Sequence, residues 1–267
     1  MDELTNTTEP QIAYSECCTL PFVSLYNEDC SDTIKRISDK SIDLLLQDLP
    51  YGTTQNEWDK VPNLPLMWQE WERILKDDGL AIFTAQQPFA SELIMSRKGL
   101  FKCDWIWMKE KGTGHLNANL YPLRNHEHII VFGWSVKKYN PQLEKGKPYQ
   151  RLNVSKNELN KGNYGKTKES YDTISEGERY PKTIQFFASD SQRFGSLHPT
   201  QKPVDLMRYL ILTYSNKGET VFDGYSGSWT TAEACIIEGR KFIGSELNKE
   251  YFDKSVLRLK NVPTQLF

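Results

Sequence analysis

Apolar residues along this chain form short continuous runs, separated by stretches with helical spacing. The run "IDLLLQ" at 42–47 is bounded by turn residues, and a second run, "LAIFTA", follows at 80–85. Between them, the apolar side chains of "LPLMWQEWERILKDDG" at 64–79 recur every three or four positions up to Gly79. Runs without polar alternation are typical of strands covered on both faces, and the spacing between them predicts a helix. The pattern therefore predicts a parallel sheet with crossover helices.

The same alternation stops near the middle of the chain and returns later. "DWIWMK" and "HEHIIVFGW" extend the predicted sheet, whereas 137–195 is polar, basic and rich in Asn and Tyr, with little periodicity. After it, "KPVDLMRYLILTYS" and "TTAEACIIEG" predict helices, and "ETVFDG" and "KFIGSE" predict strands. We interpret the chain as one doubly wound, mostly parallel α/β domain, made of 1–136 and 196–267, that carries a polar insertion at 137–195.

The charge is unevenly distributed. The net charge is −2 and the pI is near 6.1, which argues against a nucleic-acid-binding protein held by its global charge. Between Lys137 and Lys182, however, eleven basic and six acidic side chains give a net charge of +5. A basic segment that contains tyrosines suits contacts with phosphates and a few bases. A solvated surface insertion is the alternative, because acidic residues are interspersed among the basic ones.

Targeting and metal signals are weak in this sequence. The amino-terminal "MDELTNTTEP" is acidic and polar, and no apolar run reaches the roughly 18 residues of a membrane span, so we expect a cytoplasmic protein with no membrane association. The five cysteines fit neither a disulfide framework nor metal-binding spacing. His126 and His128 would share one face of a strand, but no third ligand follows at a suitable spacing. We expect no metal.

The first predicted strand ends in a group of residues suited to binding a ligand. Asp48, Leu49, Pro50 and Tyr51 form the sequence "DLPY" directly after the apolar run. Ligands of open α/β sheets bind at the carboxyl ends of the strands, which places this acid and this ring at the expected edge. An ordinary turn at the end of a strand is the alternative, since Asp, Pro and Gly are common there.

The later strands carry a second group. The strand that ends in Asp223 runs into a turn with Gly224, Gly227 and serines, and the next strand ends in Glu246, 23 residues after Asp223. In nucleotide-binding βαβ units, glycines let the backbone approach the ligand and the later acid accepts hydrogen bonds from ribose hydroxyls. We therefore expect a ligand that contains adenosine. The alternative is a structural turn in which Ser228 or Thr230 caps the helix.

Together, "DLPY" and "FDGYSGSWTT" resemble the motifs of amino-group DNA methyltransferases that use S-adenosylmethionine. The catalytic motif of that family is (D/N/S)PP(Y/F/W), and its cofactor motif is FxGxG. Here the catalytic motif comes first and the cofactor motif last, which is the circularly permuted order of the β class. "LYNEDC", "PLRNHEHIIVFG" and "HPTQKPVDLMRYLI" are similar to further segments of the family. The resemblance implies a Rossmann-like class I methyltransferase fold, in which 1–136 is the catalytic half, 137–195 the target-recognition insertion and 196–267 the cofactor-binding half.

The resemblance also implies the site residues. Asp48 and the carbonyl of Leu49 accept hydrogen bonds from the target amino group, Pro50 restrains Leu49, and Tyr51 supports a flipped base. The implied contacts of S-adenosylmethionine are Asp29, Cys30, Asp48, His198, Thr200, Lys202, Phe222, Asp223, Gly224, Gly227, Ser228, Thr230, Glu246 and Leu247. Phe222 is expected to lie against the adenine, and Glu246 on the ribose.

The implied activity is site-specific methylation of adenine N6 in double-stranded DNA, in the setting of restriction–modification, by an enzyme that analogy suggests is a homodimer. The alternatives are methylation of cytosine N4, a catalytically silent DNA-binding homologue and, with less support, a dinucleotide-dependent oxidoreductase. Three positions depart from the family pattern: Leu49 replaces a proline, Gly224 replaces a proline, and Trp229 replaces a glycine. The indole of Trp229 either crowds the methionine pocket or turns away into helix packing.

Overall fold

A computed structural model of the chain describes residues 16–20, 22–52, 60–135, 137–151, 173–189 and 201–262. The chain divides into two compact units. The larger unit comprises Met1–Tyr139 and Ile184–Phe267, and the smaller comprises Asn140–Thr183. The predicted insertion, 137–195, differs from the smaller unit at both ends. Residues 184–189 belong to the larger unit because Ile184–Phe186 pairs with a strand of its sheet.

The helices and strands have the following bounds. The strands are β1 (Glu16–Leu20), β2 (Val23–Asn27), β3 (Ile42–Asp48), β4 (Leu75–Ala85), β5 (Phe101–Thr113), β6 (Arg124–Gly133), β7 (Glu144–Lys145), β8 (Tyr149–Arg151), β9 (Thr173–Ser175), β10 (Glu178–Arg179), β11 (Ile184–Phe186), β12 (Thr220–Asp223) and β13 (Lys241–Ser245). The helices are α1 (Cys30–Arg36), α2 (Leu64–Ile74), α3 (Phe89–Ser96), α4 (Val204–Tyr214), α5 (Thr230–Glu238) and α6 (Lys249–Leu259). In the smaller unit, β7 pairs with β10 and β8 with β9, both antiparallel.

The described strands of the larger unit form one sheet in the order β1-β2-β13-β12-β3-β4-β6-β5-β11. The five strands from β2 to β4 in this order run parallel to one another. The chain passes from β3 to β4 on one side and from β12 to β13 on the other, so the strand order reverses between β3 and β12. The predicted doubly wound, mostly parallel sheet is confirmed. Ligands of such sheets bind at the carboxyl ends of the strands where the order reverses.

Strand β3 shows why the apolar runs are continuous. Leu44 and Leu46 pack in one core cluster with α4, α5 and α6, while Leu45 packs in a second cluster with α1, α2 and α3. Because helices cover both faces of the sheet, each side chain of the run is buried whichever way it points. Within the described ranges, no helix combines the length and apolarity needed to cross a membrane.

Helix α2 ends earlier than the sequence predicts. The pattern placed its end at Gly79, but the helix stops at Ile74, and Leu75 already belongs to β4. Leu75 pairs with Ile42 of β3. Apolar spacing alone does not distinguish the last turn of a helix from the start of a buried strand, because both bury Leu75.

A buried ionic cluster closes the amino end of β3. The Asp43 carboxylate, 4% exposed, accepts hydrogen bonds from Lys76 at 2.8 Å and from Lys138 at 2.9 Å. It also accepts one from the backbone N–H of Thr220, at 3.0 Å, which joins β3 to the start of β12. Burial alone would raise the pKa of Asp43, but these donors outweigh it and lower the pKa below its ordinary value. This cluster therefore stabilises the end of the sheet opposite to the candidate site.

Candidate active site

A cavity of about 1170 Å³ opens at the carboxyl ends of the central strands. It is lined by Asp48, Pro50 and Tyr51 after β3, and by Gly227 and Glu246 from the β12–β13 region. Small-molecule pockets typically enclose roughly 300–1,000 Å³, so this cavity is slightly larger than a typical pocket for one ligand. The two groups of residues that the sequence singled out thus share one cleft.

Asp48 accepts several hydrogen bonds at the end of β3. Its Oδ1 accepts hydrogen bonds from the Tyr51 hydroxyl, at 2.6 Å, and from the Thr84 hydroxyl. Its Oδ2 accepts a charged hydrogen bond from Lys202 Nζ. The Leu49 side chain is buried in the second core cluster, while the residue itself still lines the cavity. Asp48 is therefore held in one orientation at the end of β3.

The Tyr51 ring lies at the inner wall of the cleft rather than projecting freely from it. It stacks on Phe89, with ring centroids 5.8 Å apart and an interplanar angle of 28°. Burial raises the pKa of its hydroxyl well above the ordinary value, and the charges of Asp48 and Glu127 raise it further. The hydroxyl therefore stays protonated and donates to Asp48.

At the end of β12, Asp223 orders the turn that follows the strand. Its Oδ1 accepts from the N–H of Tyr225 at 3.0 Å, and its Oδ2 accepts from the Thr231 hydroxyl at 2.8 Å. Burial raises the pKa of Asp223 to about 7, and the charges of Asp48 and Glu246 add to the rise. The carboxylates of both motifs therefore lie close enough to Asp223 to influence its protonation.

Glu246 ties the end of β13 to the glycine turn. Its Oε2 accepts from the N–H of Gly227 at 2.9 Å, and its Oε1 accepts from the N–H of Asn248 at 2.7 Å. Burial raises the pKa of the Glu246 carboxyl group, against the lowering effect of these N–H groups. Gly227 has a φ of 52°, in the left-handed region that favours glycine.

Gly224 is required by close packing. A Cβ atom at this position would lie 2.1 Å from Cys30 Sγ and 3.2 Å from the Phe222 ring. We expect Gly224→Ala to lower the free energy of unfolding by about 1–3 kcal/mol, because an overpacked site must shift its neighbours. Urea denaturation measures this loss. Gly99→Ala is the matched control, since nothing lies within 4 Å of a Cβ atom there. Equal stabilities of the two variants would contradict the assigned packing role.

The remaining sequence-predicted residues fall into three groups. The first group lines the cavity and comprises Asp29, Cys30, Lys202, Asp223, Gly224, Ser228, Thr230 and Leu247. His198 and Thr200 lie outside the described residues. Phe222 alone departs from expectation, because its ring is fully buried in the second core cluster and does not line the cavity. The expected contact of Phe222 with adenine therefore does not fit this arrangement.

Three of the lining residues also make local hydrogen bonds. The Asp29 carboxylate caps α1 by accepting from the N–H of Ser31 at 2.8 Å. Ser228 and Thr230 share a hydrogen bond of 2.9 Å between their hydroxyl groups. The Asp29 contact fixes the start of α1, whereas α5 begins at Thr230 with no side-chain hydrogen bond capping it.

Trp229 turns away from the cleft. Its side chain is fully buried, and its ring meets Phe242 and Phe252 edge to face, at centroid distances of 6.0 and 5.8 Å. Its φ of 59° lies in the left-handed region, which glycine adopts more readily. Of the two alternatives for this departure from the family pattern, the structure thus shows the indole in helix and sheet packing.

A buried acid that the sequence patterns did not indicate lies near Lys202. Glu127 is 3% exposed, lines the cavity, and accepts hydrogen bonds from Lys109 and, at 3.0 Å, from Gln86. The adjacent His126 and His128 were considered as metal ligands, but they lie on the opposite face of β6. Glu127 is the acid just before the apolar run at 129–132 and alternates with the two histidines, and this was the signal that could have identified it. Thr84 carried no comparable signal.

His126 and His128 have no third metal ligand grouped with them among the described residues. The two rings are 5.7 Å apart, and His128 Nδ1 lies 3.5 Å from Asp104 Oδ2. Across the ranges that the structure describes, no three His, Cys, Asp or Glu side chains are grouped so as to hold a metal ion.

The fold and the cleft together define a Rossmann-like α/β protein of the class I methyltransferase type. Two solved structures share this fold. "PvuII DNA methyltransferase (cytosine-N4-specific)" matches with a TM-score of 0.63 and 14% sequence identity, over 93% of this chain and 89% of that chain. The "M1.HpyAVI-SAM complex" matches with a TM-score of 0.61 and 21% sequence identity, over 89% of this chain and 98% of that chain. Residues 42–257 match the model of the N6_N4_Mtase family, described as DNA methylase. The chain belongs to this family of amino-group DNA methyltransferases.

Named relatives agree with the family assignment. The Type II methyltransferase M1.MboII of Moraxella bovis is 27% identical over 258 residues, which cover 86% of this chain and 94% of that protein. The DNA adenine methyltransferase YhdJ of Escherichia coli strain K12 is 25% identical over 88% of this chain and 82% of that protein. The similarity thus covers most of this chain and most of each relative.

Proposed function

We propose that this protein transfers a methyl group from S-adenosylmethionine to the exocyclic N6 of an adenine flipped out of double-stranded DNA, as a permuted, β-class enzyme. The observation that carries the proposal is that Asp48 and Glu246, at the ends of two separate strands, line one cavity. Asp at the first position of the "DLPY" motif and the name of the Escherichia coli relative favour adenine. Cytosine N4 is the second candidate, because the PvuII enzyme, named as specific for that atom, shares the fold.

The residues around the glycine turn fit S-adenosylmethionine. Gly227 lines the cavity, and a Cβ atom there would meet nothing within 4 Å, so the backbone faces open space. Glu246, at the end of the second strand of the βαβ unit, supplies acceptors for ribose hydroxyls. Asp223 adds a buried carboxyl group close to where a cationic ligand would bind. When bound, the cofactor supplies an electrophilic methyl group on a sulfonium.

The catalytic residues act on the amino group of the target base. The lone pair of this nitrogen is delocalised into the base ring, so the protein must localise it for attack. Asp48 and the Leu49 carbonyl accept the two amino hydrogens, draw the nitrogen toward tetrahedral geometry and stabilise the positive charge that develops. Pro50 restrains Leu49, and Tyr51 offers an aromatic surface to the flipped base. This chemistry needs neither a metal nor a nucleophilic side chain.

We assign target recognition to the Asn140–Thr183 unit. In its described part, the Arg179 guanidinium lies 4.5 Å from the Tyr149 ring centroid, and Tyr180 is 75% exposed. Basic and aromatic side chains of this kind suit contacts with phosphates and bases. By analogy with relatives, we also propose that the protein is a homodimer. Sedimentation of the purified protein measures its oligomeric state.

The test is transfer of a labelled methyl group from S-adenosylmethionine to DNA, followed by analysis of the nucleosides. We expect the label in N6-methyladenine. Label in N4-methylcytosine would show that the target base is cytosine rather than adenine, and the proposed mechanism would still hold. Intact cofactor binding without transfer to any tested DNA would favour a catalytically silent DNA-binding homologue.

A further inference from the structure

The ammonium group of Lys202 lies between two carboxylates at the wall of the cleft. Its Nζ donates to Asp48 Oδ2 and lies 3.6 Å from Glu127 Oε2. The Lys202 side chain is 9% exposed and that of Glu127 is 4% exposed, so solvent screens these charges little. Burial alone would lower the pKa of Lys202, but attraction to Asp48 and Glu127 outweighs it and raises the pKa. Lys202 therefore stays charged in the cleft.

Lys202 donates to Asp48 Oδ2, the oxygen that the proposed methyl transfer requires. Asp48 Oδ1 already accepts from Tyr51 and Thr84, so Oδ2, held by Lys202, is the oxygen through which Asp48 can accept from a target amine. A cation that remained on Oδ2 would also oppose the positive charge that develops on the attacking nitrogen. Productive binding of the base thus calls for the ammonium group to leave Asp48.

Glu127 offers Lys202 a second partner within a short movement. Oε1 of Glu127 accepts from Lys109 and Gln86, whereas its Oε2 is buried and, among the described residues, has no hydrogen-bond partner. An unsatisfied buried carboxylate oxygen is costly, so an additional donor stabilises it. A change in the Lys202 side-chain torsions that carries Nζ off Asp48 can bring it from 3.6 Å to the roughly 2.8 Å from Oε2 that is typical of a charged hydrogen bond.

We propose that Lys202 has two positions, on Asp48 in the ligand-free protein and on Glu127 when the target amine occupies Asp48, and that Glu127 is the positioning residue for this exchange. The inference rests on the proposed role of Asp48 as the acceptor for the target amine. Glu127 acts through Lys202: it receives the displaced ammonium group and neutralises it beside the reacting nitrogen.

The exchange is tested first with Glu127→Gln, which keeps the size of the side chain and removes its charge. With both substrates saturating, we expect single-turnover methyl transfer to slow by roughly 10- to 100-fold, because the ammonium group remains on Asp48 and the amine is misplaced. Cofactor affinity, measured by calorimetry, should stay unchanged. Wild-type transfer rates in Glu127→Gln would overturn the proposal.

A double variant separates this role from a merely structural one. Adding Lys202→Met to Glu127→Gln removes the cation that competes for Asp48, so we expect the double variant to transfer methyl faster than Glu127→Gln alone. If Glu127 only stabilised the fold, adding Lys202→Met would leave the transfer rate unchanged or lower it further. A second substitution restores a rate lost to the first only if the two side chains are functionally coupled. An unchanged or lower rate would therefore refute the exchange.

Asp43→Asn is the matched control, because Asp43 is also a buried carboxylate between two lysines, at the opposite end of β3. It should lower stability without slowing transfer by folded protein, and an equal slowing in both variants would count against the exchange. Asp48→Asn separates the two proposals. An inactive Asp48→Asn together with a fully active Glu127→Gln would refute only the exchange, whereas a fully active Asp48→Asn would remove the assigned role of Asp48 and the exchange with it.

Discussion

Asp48→Ala is expected to reduce methyl transfer by roughly 10³-fold or more, since it removes the charged acceptor that stabilises the developing positive charge in a site shielded from water. The same change leaves Tyr51, Thr84 and Lys202 without their shared partner. Single-turnover assays with labelled donor and saturating DNA measure the rate. They report the chemical step separately from product release.

Cofactor binding is the internal control for that variant. The glycine turn and Glu246 are held by contacts that do not involve Asp48, so we expect the affinity for S-adenosylmethionine to be largely retained. Near-wild-type transfer by Asp48→Ala would exclude Asp48 from the mechanism. Loss of cofactor binding together with transfer would instead show that Asp48 acts mainly on the donor side of the cleft.

Glu246→Ala is expected to weaken cofactor binding first. The substitution removes the ribose acceptor and releases the N–H groups of Gly227 and Asn248, which Glu246 now holds at 2.9 and 2.7 Å. Hydrogen bonds to a charged group contribute about 1.5–3 kcal/mol, which corresponds to a loss of affinity of roughly 10- to 100-fold. Isothermal titration calorimetry measures the dissociation constant directly.

The two large effects differ in how they respond to cofactor concentration. At saturating S-adenosylmethionine, Glu246→Ala should regain most of its transfer rate, whereas Asp48→Ala should not. Glu250→Ala is the control for the Glu246 variant, because Glu250 is a nearby glutamate on the exposed face of α6 that pairs with Lys254. An unchanged dissociation constant in Glu246→Ala would contradict the assignment of the ribose contact.

The ends of β3 and β13 could be predicted from the sequence because each signal is local. An apolar run fixes the strand, and the residue that follows the run, Asp48 or Glu246, is carried to the ligand-binding edge by the topology of a parallel sheet. Gly227 was predictable for the same reason, since a glycine between a strand and a helix marks a turn that the backbone must make tightly.

Other residues of the cleft depend on contacts between distant strands. Thr84 reaches Asp48, and Glu127 reaches Lys202, only because β4 takes a particular register against β3 and β6 against β4, which no local pattern encodes. The misassigned end of α2 has a related cause, since pairing of Leu75 with Ile42 decides between helix and strand. The buried ring of Phe222 shows that a residue can match a family motif and still point into the core.

The pairing of β3 with β12 also affects when, during synthesis of the chain, the cleft can form. The hydrogen bond between Asp43 and Thr220 joins residues 177 positions apart, and Glu246 is made later still. Under the proposed assignment, a growing polypeptide contains Asp48 long before Glu246. The proposed donor pocket is therefore complete only after β13 has been synthesised, and we expect shorter nascent chains to be inactive.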